Sequence, residues 1–164
     1  MPSSPRLSRF IASRIGPGST PVLEIGAGTG AITRALLEGA VDPKSLFVIE
    51  RDPELAAFLH HNFPGVRVRC DDAIHCRRLL SDHSVPSVQT VVSSLPLRNL
   101  APVDRIETVN AMLNTLAHNG QLIQYTYAAE CPIPTRRFGL EAECLGRVWQ
   151  NLPPASVWRF IKRH

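Results

Sequence analysis

Apolar positions along this chain alternate between two spacings. Short segments rich in apolar residues occur at Val22–Ile25, Leu46–Glu50, Val66–Cys70, Val88–Ser93 and Gln121–Tyr127. Runs of this length and β-branched content read as strands buried on both faces. Between them the apolar residues fall at helical spacing, over about Ala31–Glu38, from Asp52-Pro53 to about Asn62, over about Ile74–Leu80, and over Pro102–Ala117. Asp52-Pro53 is a cap followed by a first-turn proline, Gly39 is a helix stop, and His118-Asn119-Gly120 closes the long helix. Cys131–Thr135, with two prolines, reads as a loop. The ending changes pattern: Leu140–Trp149 and Val157–Lys162 read as two strands joined only by Asn151-Leu152-Pro153-Pro154, a hairpin. Strands alternating with helices predict an α/β fold, a Rossmann-like, doubly wound and mostly parallel seven-stranded sheet with a C-terminal antiparallel hairpin.

Ahead of this pattern, Leu7, Phe10, Ile11 and Ile15 share one face of a short helix over Pro5–Ile15, with Arg6, Arg9 and Arg14 away from it. Two readings stand: a helix packed on the edge of the fold, or an interfacial element whose apolar face enters a bilayer. Gly16-Pro17-Gly18 ends it. Residues 1–19 are therefore set apart as an N-terminal helix and linker, and 20–164 as one domain.

Composition narrows the classes. The chain has 164 residues with 44% hydrophobic and 20% charged, which fits one folded domain and excludes a disordered chain. No apolar run approaches the ~18 residues of a membrane-spanning helix. The N-terminus MPSSPRLSRFIASRIG lacks the apolar core and cleavage site of a signal peptide. Cys70, Cys76, Cys131 and Cys144 show no paired spacing and read as free thiols of a cytoplasmic protein. Cys70, His75 and Cys76 have no second ligand pair near them, so no metal is expected. The net charge is +4, and arginine supplies 16 of the 18 Lys and Arg residues. That is either compositional bias or a surface suited to phosphate, on nucleic acid or an anionic membrane.

The chemistry gathers at the ends of the strands. VLEIGAGTGA places Glu24 inside the first strand and Gly26, Ala27, Gly28, Thr29 and Gly30 in the turn that feeds the next helix. Glycines let backbone amides approach a ligand, and the helix N-terminus adds a positive dipole end. Such turns also serve dinucleotide enzymes. Two features favour S-adenosylmethionine: E-x-G-x-G-x-G is tighter than G-x-G-x-x-G, and Glu24 can stand near an ammonium group. Glu50, 20 residues after Gly30, ends the second strand where an acid accepts from ribose hydroxyls. Arg51 beside it is grouped with the cofactor set, with a surface position the competing reading. Asp72-Ala73 ends the third strand: the carboxylate can accept from an adenine amino group, the small residue leaves room for the ring, and Asp71 can share the role. Ser93, Ser94, Leu95 and Pro96 end the fourth strand. Tyr125 and Tyr127 share a face of the fifth, with Tyr127 at its tip. Arg136 and Arg137 follow the proline-rich loop, as lipid-phosphate ligands or as a solvated pair.

VLEIGAGTGAITRALL, FVIERDPELAAFL, RCDDA, VVSSLPL and GQLIQYTYA resemble the successive motifs of the class I S-adenosylmethionine-dependent methyltransferases. SSLPL is similar to the N-L-P-Y-like fourth motif of ribosomal RNA adenine dimethyltransferases. SSLPL, QYTY and NLPPASVW resemble more closely the S-G-L-P-L, Q-F-T-Y and N-L-P-P-A-x-V-W motifs of bacterial phospholipid N-methyltransferases, over nearly all of residues 20–164. Ser94 and Ala128 depart from that family's glycines, and Pro5–Ile15 stands where its members carry a longer amphipathic helix. The resemblance implies methyl transfer from S-adenosylmethionine to a lipid amine of the phosphatidylethanolamine or ornithine-lipid type, at the inner face of an anionic membrane. It implies a cofactor set of Glu24, Gly26, Ala27, Gly28, Thr29, Gly30, Glu50, Arg51, Asp72, Ala73 and Ser93. Tyr127 is the expected catalytic residue, and Ser94, Leu95, Pro96, Tyr125, Arg136 and Arg137 the expected substrate set. The alternatives are an RNA adenine N6-methyltransferase, disfavoured because Leu97 stands where a base-stacking aromatic belongs, and a non-catalytic S-adenosylmethionine-binding module. The sequence does not set the oligomeric state.

Overall fold

The computed structural model describes residues 3–164; the first two residues of the predicted N-terminal segment lie outside them. Among these described residues seven strands form one sheet: β1 Val22–Ile25, β2 Leu46–Glu50, β3 Arg67–Cys70, β4 Val88–Ser93, β5 Leu116–Thr126, β6 Leu140–Val148 and β7 Ala155–Lys162. Their order is β3-β2-β1-β4-β5-β7-β6, parallel from β3 through β5, with β7 antiparallel to both β5 and β6. The expected doubly wound sheet with an antiparallel end is thus present. The hairpin folds back so that the later strand, β7, lies inside and β6 takes the edge.

Among the described residues six helices accompany the sheet: α1 Pro5–Ser13, α2 Ala31–Glu38, α3 Pro53–Asn62, α4 Cys76–Asp82, α5 Pro102–Leu113 and the short α6 Thr135–Phe138. One apolar cluster gathers Leu23, Ile49, Leu79, Val91 and Met112 with α4 and α5; the other gathers Val22, Val48, Leu36, Leu59 and Val92 with α1, α2 and α3. Helices on both sides explain why β1, β2 and β4 are buried along almost their whole length rather than at alternate positions. Among the described residues, no helix is long and apolar enough to cross a membrane.

Two expectations are corrected, and one alternative is decided. The helix predicted over Pro102–Ala117 ends at Leu113. Thr115 donates through its backbone N–H and its hydroxyl to the Met112 carbonyl, and Leu116 joins β5 opposite Val88, with an irregularity in the ladder before Thr90. Sheet pairing of a buried leucine outweighs helix propensity there. Within the predicted loop after Cys131, Thr135 instead starts α6. The N-terminal helix takes the edge-packing alternative: Leu7, Ile11 and Ile15 are buried against the α2 side of the sheet. Phe10 crosses Gly146 so closely that a Cβ there would lie 2.9 Å from its ring.

Candidate active site

β1, β2, β3 and β4 deliver their carboxyl ends to one edge, where an open parallel sheet holds ligands. After Ile25 the chain turns through Gly26, Gly28 and Gly30, at φ of +76°, +58° and +87°. The Gly26 amide is held by the Ile49 carbonyl at 2.9 Å. A Cβ on Gly30 would lie 2.5 Å from the Phe63 ring, so both the backbone conformation and the close approach of α3 require glycine there. This turn opens α2 without a side-chain cap.

Three adjoining clefts run along the edge. The first, about 320 Å³, is lined by Gly26, Glu50, Arg51, Asp71, Asp72 and Ala73, closed by Leu95 and Pro96 and by Asp104, Glu107 and Thr108 of α5. Its size falls within the range of roughly 300–1,000 Å³ common to small-molecule sites. A second, of about 120 Å³, lies over the glycine turn among Gly26, Ala27, Gly28, Thr29, Ser94, Tyr125 and Ser3. The third, about 400 Å³, is bounded by Ser94–Asn99 on one side and Gln124–Ala128 on the other. Gly26 is common to the first two, Leu95 and Pro96 to the first and third, and Ser94 and Tyr125 to the second and third. An elongated ligand lying from Asp72 past Gly26 therefore meets the third cleft at Leu95.

Glu50 is the fixed point of the first cleft. One carboxylate oxygen accepts from the Gly28 amide at 2.8 Å and the other from the Asp52 amide at 3.1 Å. Both oxygens keep lone pairs that can accept from a diol. Asp72 caps the turn Ala73–His75 by accepting from the Ile74 amide at 3.0 Å. Asp71 accepts from His75 Nδ1 at 2.9 Å, and that bond, first among several contacts, holds its carboxyl below the usual range.

Other residues of the expected set stand behind the clefts. Glu24 is fully buried, with one oxygen accepting from the Thr33 hydroxyl at 2.6 Å and the other without a partner. Desolvation pushes its carboxyl up to about 7; the Thr33 bond opposes this and Glu50 adds to it. Ser93 is buried, accepting from the Leu95 amide at 3.3 Å, and shapes the turn. Arg136 and Arg137 sit exposed on α6 and line none of the three clefts. Cys76 is buried against the Ala111 carbonyl whereas Cys70 is exposed.

At the third cleft, Tyr125 and Tyr127 pack edge to face with ring centroids 5.8 Å apart. Tyr125 receives a hydrogen bond from the Ser3 hydroxyl at 3.1 Å. Partial burial, then the neighbouring Tyr125, raises the Tyr127 phenol above its ordinary 10, while Asn151 beside its hydroxyl works the other way. Asn151 also donates to the Pro153 carbonyl at 2.8 Å, so NLPP shapes the β6–β7 loop. Gln124, on the opposite face of β5 from Tyr125, is buried; it donates to the carbonyls of Leu95 at 2.9 Å and Tyr125 at 3.0 Å, tying the fourth-strand turn to β5. The sequence reading missed Gln124, although a lone amide within the apolar LIQY was its signal. It also missed Asp104, Glu107 and Thr108, whose helix carries no motif.

Residues 11–71 match the family described as ribosomal RNA adenine dimethylase. The chain is 30% identical over 165 residues to an ornithine lipid N-methyltransferase of Singulisphaera acidiphila, covering 96% of this chain and 84% of that one. It is 42% identical over 53 residues to a ribosomal RNA small subunit methyltransferase A of Maridesulfovibrio salexigens, covering 32% of this chain and only 20% of that enzyme. Among solved structures it is similar to the glycopeptide N-methyltransferase MtfA complexed with S-adenosyl-L-homocysteine, with TM-score 0.75 and 15% identity over 99% of this chain and 91% of that one. It is also similar to the N-methyltransferase NodS of Bradyrhizobium japonicum in complex with S-adenosyl-L-homocysteine, with TM-score 0.69 and 17% identity over 97% and 87%. With its sheet order, its glycine turn and a full-length relative at this identity, the chain belongs to the class I S-adenosylmethionine-dependent methyltransferases.

Proposed function

We propose that this enzyme methylates the amine of a phospholipid or related aminolipid of the phosphatidylethanolamine type. The observation that carries this is where the two likenesses run. The family model described as ribosomal RNA adenine dimethylase matches residues 11–71, on the cofactor side. The third cleft, Ser94–Asn99 and Gln124–Ala128, lies wholly beyond it, and the alignment with the ornithine lipid enzyme runs through it.

In this reading Glu50 holds the ribose, Asp72 and Ala73 the adenine, and the Gly26–Gly30 turn the amino-acid end. S-adenosylmethionine supplies a methyl group already activated by its sulfonium. The protein's part is then alignment of the amine with that methyl at the Leu95 junction. An alkylammonium with a reference pKa of about 10.4 must first lose its proton. The apolar lining from Leu95, Pro96, Leu97 and Pro132 favours the neutral amine by desolvation. Because its phenol is raised, Tyr127 stays an O–H at neutral pH, and its role is to orient the amine rather than to take the proton.

Residues 11–71 favour a second reading, methylation of an RNA adenine. Against it, Leu97 is buried and presents no ring on which a flipped base can stack. The test is transfer of labelled methyl from S-adenosylmethionine to phosphatidylethanolamine vesicles, ornithine lipid or ribosomal RNA. Label in lipid supports the proposal, and label in RNA but not lipid overturns it. Binding of the donor with no transfer to any acceptor favours a non-catalytic module.

A further inference from the structure

We infer that an anionic lipid surface docks on the rim formed by the β6–β7 loop and the arginine edge of α1, and not on the apolar face of α1. This rests on the aminolipid reading and names the surface that brings the substrate to the third cleft.

The apolar face of α1 is already used. Leu7 and Ile11 are fully buried within the fold, so entering a bilayer would require unpacking them. Among the described residues five large apolar side chains are exposed: Phe58, Val103, Tyr127, Trp149 and Leu152. The last three share one place. Trp149 (68% exposed) and Leu152 (80%) flank Asn151, whose side chain stands beside the Tyr127 hydroxyl. The loop therefore borders the mouth of the third cleft. Trp149 stands outside the sheet packing, with the Arg147 guanidinium 4.9 Å over its ring.

The same rim is basic. A groove of about 440 Å³ next to the loop is lined by Arg6, Arg9, Phe10, Arg147, Val148 and Gln150. The close crossing of Phe10 over Gly146 draws the arginine edge of α1 to this position. The described ion pairs join Arg69 to Asp82, Asp71 to His75, Arg98 to Glu130 and Arg159 to Glu143; none reaches Arg6, Arg9 or Arg147. An indole and an aliphatic side chain standing out of a loop, beside three guanidiniums that have no carboxylate partner among the described residues, complement a bilayer interface whose phosphates are negative. Each arginine near such a surface contributes ~1 kcal/mol, about fivefold in partition.

The experiment uses the full chain and vesicles of phosphatidylglycerol in phosphatidylcholine, which contain no amine acceptor. In a Trp158→Phe background, the Trp149 emission should shift to the blue on these vesicles, with cosedimentation at least tenfold weaker on phosphatidylcholine alone. Trp149→Ser with Leu152→Ser, or Arg6→Glu with Arg9→Glu, should each lower cosedimentation at least tenfold. Val103→Ser, an exposed apolar residue on α5, should leave it unchanged. S-adenosylmethionine binding by calorimetry checks that each variant is folded. The inference is overturned by failure of the parent protein to bind the vesicles, by paired variants that are folded and bind undiminished, or by a ribosomal RNA fragment bound through these arginines with vesicles ignored. Methyl transfer to detergent-dispersed ornithine lipid is read separately, so a failure of docking and a failure of the aminolipid reading give different results.

Discussion

The most exact consequence of the site concerns Glu24. Its carboxyl is buried, holds only the Thr33 hydroxyl, and is raised from 4.5 to about 7. Below pH 4.5 the folded and unfolded chains are both protonated at this position, and it adds no pH dependence. Between pH 4.5 and about 7 the unfolded chain has lost this proton while the folded chain keeps it. Stability therefore falls as pH rises, and the loss is complete above about pH 7. At ~1.36 kcal/mol per pH unit the loss approaches about 3 kcal/mol. Glu24→Gln keeps an oxygen for Thr33 and cannot ionise. It also leaves a buried NH₂ without a partner, which costs about 1–3 kcal/mol at every pH. The sign of the difference at one pH is thus uninformative, and its pH dependence is what matters. Urea unfolding of both proteins should be followed from pH 4 to 8.5. Every other ionisable group is common to both proteins and cancels in the difference. The variant should gain on the parent by about 3 kcal/mol between pH 4.5 and 7, then stay level. Parallel curves for the two proteins would refute the placement of a neutral acid at this position.

The remaining outcomes are simpler. Gly30→Ala meets a left-handed φ and the Phe63 ring and should cost about 2–4 kcal/mol, whereas Gly28→Ala, with nothing within 4 Å of the new Cβ, should cost only about 1–2 kcal/mol; thermal unfolding compares them. Glu50→Ala should weaken S-adenosylmethionine binding by about 2–4 kcal/mol, roughly 30- to 1,000-fold by calorimetry, since charged hydrogen bonds contribute about 1.5–3 kcal/mol each. Tyr127→Phe should leave donor affinity unchanged and lower kcat in single-turnover assays on aminolipid, and equal kcat would remove the hydroxyl from the mechanism. Alkylation of the native protein at pH 8 should modify Cys70, Cys131 and Cys144 and spare Cys76, whose thiol burial pushes up to about 11, as read by intact mass.

Much of the cofactor side was legible in the chain because it depends on short-range rules. A buried strand, a turn needing positive φ and a helix start are each local, and together they place Gly26–Gly30 and Glu50 at one edge before any long-range contact is known. Glu24 shows the limit of that reading. Alternation along a four-residue strand buried on both faces does not say whether an acid faces ligand or core, and the Thr33 hydroxyl that receives it comes from the next helix.

What the sequence by itself determined is the order of strands and helices, the glycine turn and the acids at the strand ends. Only the tertiary structure decided which distant segments meet. Inserting β7 between β5 and β6 brings Asn151 beside Tyr127 and leaves Trp149 and Leu152 exposed at the same rim. The close crossing at Gly146 turns the arginines of α1 toward that loop while burying its leucine and isoleucine. The physical reason is that local geometry and period specify what each element is. The neighbours of each element follow from burying all apolar faces of the sheet at once, a condition that no single stretch of sequence contains.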